Sequence, residues 1–322
     1  MAIISVHFGE SGSRKTTSMG SAAEYLYERT GGKRGRAIYS DGGGWQVIKG
    51  AVDAGLVEPY NIQDEPDLPL LLHKLARGWW PTALVDGLRP RDAKLAPPTD
   101  ATWKEVGWGI FEGLTSTSEL LMKYLRDKQI SIGGDPIGKF KIDDPYGGAP
   151  MLFCANNLKH YDFVQGEMLT VLAEFAGQPV ERWLITAHEA EGTDDGDRAP
   201  IRGPALVGKA GTTKVAKNVG DCIHYEVVSK AVGALIQNEV RCYYVPHPDQ
   251  KFANISYKCK SRIPEAQVGA LDKAFPGGYF APNRLGEFLR VTDELVARSG
   301  DEFAARKKAI DTKLAGTAKC AI

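Results

Sequence analysis

A short run of glycine and hydroxyl residues near the start of the chain has the composition of a phosphate-binding loop. Residues 9–17 read GESGSRKTT, after an apolar stretch at 3–8 and before a helical pattern at 18–29. In a strand–turn–helix of this kind, backbone N–H groups point inward and the helix adds partial positive charge. Lys15 would reach the β- and γ-phosphates, and the Thr16 hydroxyl would hold Mg²⁺. We therefore expect a nucleoside triphosphate to be bound by Gly9, Glu10, Ser11, Gly12, Ser13, Arg14, Lys15, Thr16 and Thr17.

One position departs from the usual pattern, G-x-x-x-x-G-K-[ST]. Arg14 stands where the second glycine belongs, and that glycine lets the backbone approach phosphate closely. A side chain there is tolerated only if it points away from the phosphates or onto them. The alternative is a solvated turn that carries an Arg-Lys pair, but the position directly after an apolar strand favours the phosphate-binding loop.

Carboxylates follow other apolar runs that we predict to be strands. Glu112 precedes a turn of small residues and could hold Mg²⁺, although capping of the next helix is its alternative role. Asp86, after a shorter run, is a rival for the metal. Asp41 precedes three glycines. It would either orient the water that attacks the terminal phosphate or simply stabilise that turn.

Two further groups of side chains could act at the terminal phosphate. His188 and Thr186 end an apolar run and could contact that phosphate, although a lone histidine is more often structural. Lys258, Lys260 and Arg262 alternate along an extended segment, which places three cations on one face. They would either form a solvated sheet edge or reach the γ-phosphate of a neighbouring subunit.

The composition excludes several classes of protein. With 43% hydrophobic and 25% charged residues, the 322-residue chain can bury an ordinary globular core as one large domain or two small ones. The 40 basic and 40 acidic residues balance, so no net charge attracts the chain to nucleic acid or to an anionic membrane. Its five cysteines show no C-x-x-C spacing, which favours free thiols in a reducing cytoplasm. No run of about 18 apolar residues predicts a membrane span.

Apolar runs and helical patterns alternate along most of the chain. The predicted strands are 3–8, 36–39, 108–112, 183–186 and 222–228, and the helices between them are 18–29, 117–128 and 161–176. This alternation predicts an α/β core with a mainly parallel sheet flanked by helices. Runs at 240–245 and 252–257 predict a C-terminal antiparallel β-hairpin.

The remaining segments complete the predicted organisation. Helices at 284–299 and 302–314 predict a helical tail, and polar, Gly/Pro-rich loops are expected at 133–150 and 192–204. We therefore expect a core over residues 1–265, with an insertion at about 64–106, followed by a helical C-terminal tail over 266–322.

Taken together, these motifs resemble the RecA-like P-loop ATPases, and within them phage-encoded nucleotide-binding proteins related to single-strand-annealing recombinases. The resemblance covers residues 1–265 and rests on FGESGSRKTT, YSDGGGW, IFEGLTSTSELL, WLITAHE and KCKSR in that order. It implies that Asp41 activates water, that Glu112 holds Mg²⁺, and that residues 186–189 sense the terminal phosphate. Asp41 stands where the family usually has Glu, and Glu112 where it usually has Asp.

The same resemblance implies partners. Lys260 and Arg262 would act between subunits, in a ring or a filament. Single-stranded DNA is a candidate partner, with Lys209, Lys214 and Lys217 as the contacting residues. A solvated helix would explain these three lysines equally well.

The implied activity is Mg²⁺-dependent ATP hydrolysis in phage DNA recombination, single-strand annealing or replication, in the cytoplasm of the host. The catalytic set would be Lys15, Asp41, Glu112, His188, Lys260 and Arg262. Three alternatives stay open: a ring-type DNA motor or helicase, a nucleotide-binding interaction protein with little hydrolysis, and a small-molecule kinase.

Overall fold

Most strands of the molecule belong to one twisted sheet, which we describe from a computed structural model. The structure describes residues 1–40, 44–130, 132, 138–142, 151–155, 158–193, 200–207, 211–232, 235–247, 256–257 and 259–319. The strands are β1 (Ile3–Gly9), β2 (Arg34–Tyr39), β3 (Val57–Asn61), β4 (Trp80–Pro81), β5 (Leu95–Ala96), β6 (Val106–Glu112), β7 (Gly138–Ile142), β8 (Met151–Ala155), β9 (Arg182–Ala187), β10 (Glu189–Thr193), β11 (Pro200–Pro204), β12 (Asp221–Val232), β13 (Leu235–Tyr243), β14 (Ser256–Tyr257) and β15 (Tyr279–Phe280).

The helices carry labels in the same chain order. They are α1 (Lys15–Arg29), α2 (Lys49–Asp53), α3 (Leu68–Ala76), α4 (Asp100–Glu105), α5 (Leu114–Asp127), α6 (Leu158–Gly177), α7 (Gly211–Asn218), α8 (Val268–Ala274) and α9 (Leu285–Lys319). Among the described residues, no helix combines the length and apolar composition that crossing a bilayer requires.

The main sheet has the strand order β15-β13-β12-β1-β9-β6-β2-β3. Every pairing from β12 through β3 is parallel, and β13 and β15 add antiparallel pairings at one edge. All five predicted strands belong to this sheet, so the predicted α/β class with a mainly parallel sheet is confirmed. Because parallel strands share one direction, the carboxyl ends of β1, β9, β6 and β2 meet at a single edge.

Helices cover both faces of the sheet, which explains why its central strands are mostly apolar. Every residue of β6 and β9 is buried. One face packs against α3, α5 and α6 through side chains such as Leu72, Leu121 and Val171. The other face packs against α1, α8 and α9, where Leu26 and Phe288 are fully buried.

The antiparallel hairpin lies at a different place from the one predicted. The run at 240–245 belongs largely to β13, which pairs with β12 from His224–Tyr243 to Val232–Leu235. We expected it to pair with 252–257, and that pairing is wrong for Ser256 and Tyr257. These two residues form β14, which pairs in parallel with β11, and 251–255 lie outside the described residues.

Other predicted segments differ in detail. The expected loop at 192–204 holds part of a β10–β11 hairpin, and the expected loop at 133–150 holds β7, which pairs with β8. The predicted insertion contains α3, followed by β4, β5 and α4. The two tail helices are one helix, α9, and its first turns lie in the core, where Leu285 and Leu289 are fully buried.

Candidate functional site

The predicted phosphate-binding loop connects β1 to α1 at the carboxyl edge of the sheet. Gly9 ends the strand where a Cβ atom would lie 2.3 Å from the Tyr225 carbonyl oxygen, so only glycine fits. The loop then turns back on itself, because the Ser13 N–H donates to the Glu10 carbonyl oxygen at 3.3 Å. Gly12 has a φ of +78°, a left-handed conformation that glycine adopts without strain.

Arg14 shows how the loop accommodates its missing glycine. Its φ is 62° and its ψ is 25°, so the backbone keeps the left-handed conformation that the usual glycine would supply. For a non-glycine residue, this conformation costs about 1 kcal/mol or more. The Arg14 side chain is exposed, and the residue lines the cleft with the rest of the loop.

The Lys15 ammonium group lies over the loop. Its Nζ atom donates to the carbonyl oxygens of Gly9 at 2.9 Å and Glu10 at 2.7 Å, and to the Ser13 hydroxyl at 3.2 Å. Burial lowers the pKa of Lys15 from 10.5 to about 8, although Glu112, Glu189 and Glu10 favour the charged form. A phosphate that enters the loop would find this cation already held in place.

Thr16 and Glu112 bring the loop and the predicted metal-binding strand together. The Thr16 hydroxyl donates to the Glu112 Oε1 atom at 2.8 Å, across 96 positions of sequence. A hydroxyl and a carboxylate oxygen are ligands that Mg²⁺ prefers, with phosphate oxygens and water completing its shell. The two residues therefore fit a nucleotide-bound Mg²⁺ ion. Within the described part of the chain, no cluster of three or more His, Cys, Asp or Glu side chains could hold a metal without a nucleotide.

Three strand ends are tied to each other beside Glu112. The Ser40 hydroxyl donates to the carbonyl oxygens of Glu112 and Gly113, both at 3.2 Å. The Gly113 N–H donates to the Thr186 hydroxyl at 2.8 Å. These contacts fix the ends of β2, β6 and β9 relative to one another, so the Glu112 carboxylate is set in position.

His188 follows β9 and belongs to the same cleft. Its backbone N–H donates to the Thr115 hydroxyl at 2.9 Å, and its carbonyl accepts from the Ala205 N–H at 2.8 Å. Its neighbour Glu189 accepts from the His224 Nε2 atom at 3.0 Å and from Arg202 at 3.3 Å. Burial lowers the pKa of His224, although its hydrogen bond to Glu189 opposes that effect. His224 escaped the sequence analysis because it lies alone in a run with no motif.

A cleft of about 330 Å³ lies between these groups, a size within the usual range for small-ligand sites. Its walls come from the loop, from the ends of β6 and β9, and from the segment after β2. The lining residues are Ser11, Gly12, Ser13, Arg14, Lys15, Thr16, Thr17, Val47, Glu112, Gly113, Ser116, Thr186, Ala187 and His188. The structure thus brings Lys15, Thr16, Glu112 and His188 to one cavity.

Other predicted site residues lie elsewhere. Asp41, Lys209 and Lys258 are outside the described residues. Asp86 occupies an exposed turn and does not line the cleft, so its rivalry with Glu112 for the metal is not supported. Lys214 is exposed on α7.

The two predicted cations of the KCKSR run lie away from the cleft of their own chain. Lys260 forms a backbone bridge with Cys222, near the start of β12. Arg262 binds Asp221, the first residue of β12, through its backbone and its side chain, and it also binds Asp293. Arg182, which starts β9, binds the same two carboxylates. Arg262 therefore completes an ion cluster at the amino edge of the sheet, opposite the loop, and this geometry argues against a guanidinium free to reach a neighbour.

A chain of polar side chains runs beneath the loop, and no sequence motif indicates it. The Tyr225 hydroxyl lies 3.0 Å from the His7 Nδ1 atom and 2.5 Å from the Ser18 hydroxyl. Ser18 in turn donates to the Lys15 carbonyl oxygen at 2.7 Å. Burial first, and then the Arg182 charge, lower the pKa of His7 to about 3, so it is neutral and serves the packing of α1 on the sheet.

Comparisons with known proteins add little to this geometry. No family model matches the sequence, and no curated protein is significantly similar to it. Among solved structures, the chain is similar to a KaiC-like protein of the hyperthermophilic archaeon Pyrococcus horikoshii OT3, at 10% identity. That match covers 75% of this chain and 77% of the other, with a TM-score of 0.37. The sheet and the loop themselves define the class: an α/β protein with a phosphate-type loop at the carboxyl edge of a mainly parallel sheet.

Proposed function

We propose that this chain binds ATP with Mg²⁺ in the cleft and hydrolyses the γ-phosphate, as an ATPase of RecA-like type. The observation that carries the proposal is the contact between Thr16 and Glu112 at 2.8 Å, in the same cleft as Lys15. A glycine-rich loop of this kind is a common turn and does not by itself identify a nucleotide site. A loop whose hydroxyl meets a buried carboxylate from another strand has the two protein ligands that a nucleotide-bound Mg²⁺ ion uses.

Each side chain has a separate task in this proposal. Backbone N–H groups of the loop and the Lys15 ammonium bind the phosphates and stabilise charge that develops during transfer. Thr16 and Glu112 would hold Mg²⁺, which when bound neutralises charge on the β- and γ-phosphate oxygens. Thr186 and His188 would lie at the terminal phosphate. The role of Asp41 as the group that orients water stays a prediction drawn from the family resemblance.

The biological setting of the proposal is phage DNA recombination, single-strand annealing or replication, by an oligomer that binds single-stranded DNA. Its support is the resemblance of the motifs in the sequence. The exposed Lys214 on α7 is a candidate DNA contact. A ring-type motor is the alternative of the same class.

One observation favours a nucleotide-dependent binding protein with little hydrolysis as a second candidate. Arg262, expected to serve a neighbouring active site, is bound by Asp221 and Asp293 of its own chain. Cations supplied in trans accelerate phosphoryl transfer by about 10³-fold or more. A site without such a cation would bind ATP but turn it over slowly.

The test measures Mg-ATP affinity and turnover in the wild type and in two variants. Lys15→Ala removes a charge-assisted contact to phosphate, and we expect about a hundredfold loss of affinity. Glu112→Gln should not weaken affinity in the absence of Mg²⁺, because it removes a negative charge beside the phosphates, and it should remove most of the gain that Mg²⁺ gives. Lys123→Ala, an exposed lysine on α5, is the matched control and should behave as the wild type.

Turnover with and without single-stranded DNA separates the two candidates. Stimulated hydrolysis supports the ATPase acting on DNA, and binding with negligible turnover supports the interaction protein. A wild type that binds no nucleotide, or Lys15→Ala equal to Lys123→Ala, would remove the proposal.

A further inference from the structure

A cluster of polar and aromatic side chains lies beside the terminal-phosphate end of the cleft, and the proposed ATPase chemistry does not use it. We call it the Glu189 cluster, after the carboxylate at its centre. Its members are Glu189, Arg202, His224, His247 and Tyr257. Glu189 directly follows His188, which lines the cleft and which we place at the terminal phosphate, so the cluster adjoins that wall of the cleft through one peptide bond.

Hydrogen bonds within the cluster run in a defined direction. The Glu189 carboxylate can only accept, so the His224 Nε2 atom, at 3.0 Å, carries a proton. With a neutral His224, its Nδ1 atom is then an acceptor, and the His247 Nε2 atom at 2.9 Å donates to it. Arg202 donates to the other Glu189 oxygen at 3.3 Å. Both oxygens of one carboxylate are thus held by named donors.

The His224 ring has little freedom to move. Its side chain is 1% exposed. The ring stacks on Tyr257 with centroids 3.7 Å apart and lies 5.0 Å from the ring of Phe8, the residue before the loop glycine Gly9. Tyr257 in turn accepts from Arg202 at 3.4 Å. A donor this rigid fixes the direction in which the Glu189 carboxylate points.

The direction of the Glu189 carboxylate determines how much negative charge faces the cleft. The parallel register pairs His224 with Phe8, the residue before Gly9, and the Gly9 carbonyl oxygen accepts from Lys15. The Glu189 carboxylate, which His224 holds, therefore lies beside the start of the phosphate-binding loop. A carboxylate released from His224 would be free to turn toward the incoming phosphates. That change would weaken binding of a terminal phosphate, and the effect would be greater for ATP, which carries more negative charge there, than for ADP.

We propose that His224 is a positioning residue for the nucleotide site: by holding Glu189, it keeps a carboxylate away from the γ-phosphate and lets the site prefer ATP over ADP. This inference rests on the proposed function, because it assigns a specificity role within that same cleft.

The experiment compares the affinities of Mg-ADP and of a non-hydrolysable Mg-ATP analogue in matched variants. His224→Asn places an amide near the Nδ1 position and loses the donor to Glu189. His224→Gln places an amide donor near the Nε2 position and keeps it. The double variant His224→Asn with Glu189→Gln removes the charge that the first change releases.

We expect His224→Asn to lower affinity for the ATP analogue about tenfold, and to change ADP affinity by less than about twofold. His224→Gln should stay within about threefold of the wild type for both nucleotides. The double variant should recover the wild-type preference, which a merely structural defect would not do. Should His224→Asn fail to fold in thermal unfolding, Arg202→Met removes the other donor to the same carboxylate and serves the same comparison.

Two results would overturn the inference: an equal loss of ADP and ATP-analogue affinity in both His224 variants, or a double variant that keeps the His224→Asn defect. Failure of the proposed function is distinguishable, because it would appear in the wild-type chain as an absence of nucleotide binding.

Discussion

The state of Lys15 predicts that nucleotide affinity decreases as the pH rises above neutrality. Burial lowers the pKa of Lys15 to about 8 in the free protein. Bound phosphates favour the ammonium form, so the complex keeps a proton that the free protein loses at high pH. Binding above pH 8 must therefore take up a proton, and raising the pH weakens it.

The magnitude follows from the fraction of Lys15 that is charged. With a pKa of about 8, roughly nine-tenths of Lys15 is ammonium at pH 7 and roughly one-tenth at pH 9. Affinity should therefore fall about tenfold between these two values. The stability of the free protein changes with pH in the opposite sense to nucleotide affinity. Its Lys15 binds fewer protons than the unfolded chain between about 8 and 10.5, so its free energy of unfolding rises with pH in that window.

A titration of Mg-ADP at several values between pH 7 and 9.5 measures the effect, with Lys15→Arg as the control. Arginine stays charged throughout this range, so the variant binds more weakly but with a flat profile. A flat profile in the wild type, or the same decline in Lys15→Arg, would refute a buried lysine with a lowered pKa as the phosphate ligand.

Three substitutions test the geometry around the loop and the sheet edges. Arg14→Gly should raise the free energy of unfolding in urea by about 0.5–1 kcal/mol, because relief of left-handed strain exceeds the entropy gained by the unfolded chain; a decrease would contradict the strain. Arg262→Ala should lower the free energy of unfolding by about 2 kcal/mol and leave ATP affinity unchanged. Loss of turnover with unchanged stability would instead support Arg262 as a cation that serves a neighbouring site. Gly113→Ala should lower stability by about 2 kcal/mol or more in thermal unfolding, since its Cβ atom would lie 2.1 Å from the Ser40 hydroxyl. Gly55→Ala, where φ is also left-handed at +72° but a Cβ atom meets nothing within 4 Å, is the matched control, and equal effects at both positions would contradict the close contact.

The sequence predicted the central strands of the sheet because buried parallel strands consist of short, nearly continuous apolar runs. Runs such as 108–112 are apolar on both faces, since helices cover both sides of the sheet. The strand β3, with the sequence VEPYN, was missed because Glu58 and Pro59 interrupt the apolar pattern. It is an edge strand, where a residue without an N–H is tolerated.

The hairpin was misplaced for a related reason. The predicted strand ended at Val228 because Ser229 and Lys230 are polar, yet β12 continues to Val232 as a two-stranded arm. Its partner β13 carries the matching residues, and Lys230 forms an ion pair with Glu239. Cross-strand pairs of this kind stabilise a hairpin without burial, so apolar periodicity does not reveal them.

The residues of the site also fall into two groups, those that the sequence could predict and those that it could not. Lys15, Thr16 and Glu112 could be proposed because their spacing follows chemistry that is local to a strand end or a turn. His224 could not, because it gains a role only when distant strands meet. Arg262 shows the converse case: its position in a cationic run suggested a function, and its neighbours Asp221 and Asp293 give it a structural one.

The hydrogen bonds and the close contact among Ser40, Gly113 and Thr186 have a consequence for how this site can change over evolutionary time. Each of the three contributes a group that another requires: a hydroxyl to a carbonyl, an N–H to a hydroxyl, and a missing Cβ that makes room for the Ser40 oxygen. A lineage could not exchange one member and keep the geometry, so the three positions should covary among descendants and resist stepwise drift. Deep mutational libraries should show strong epistasis among them, with viable combinations reached only through paired replacements.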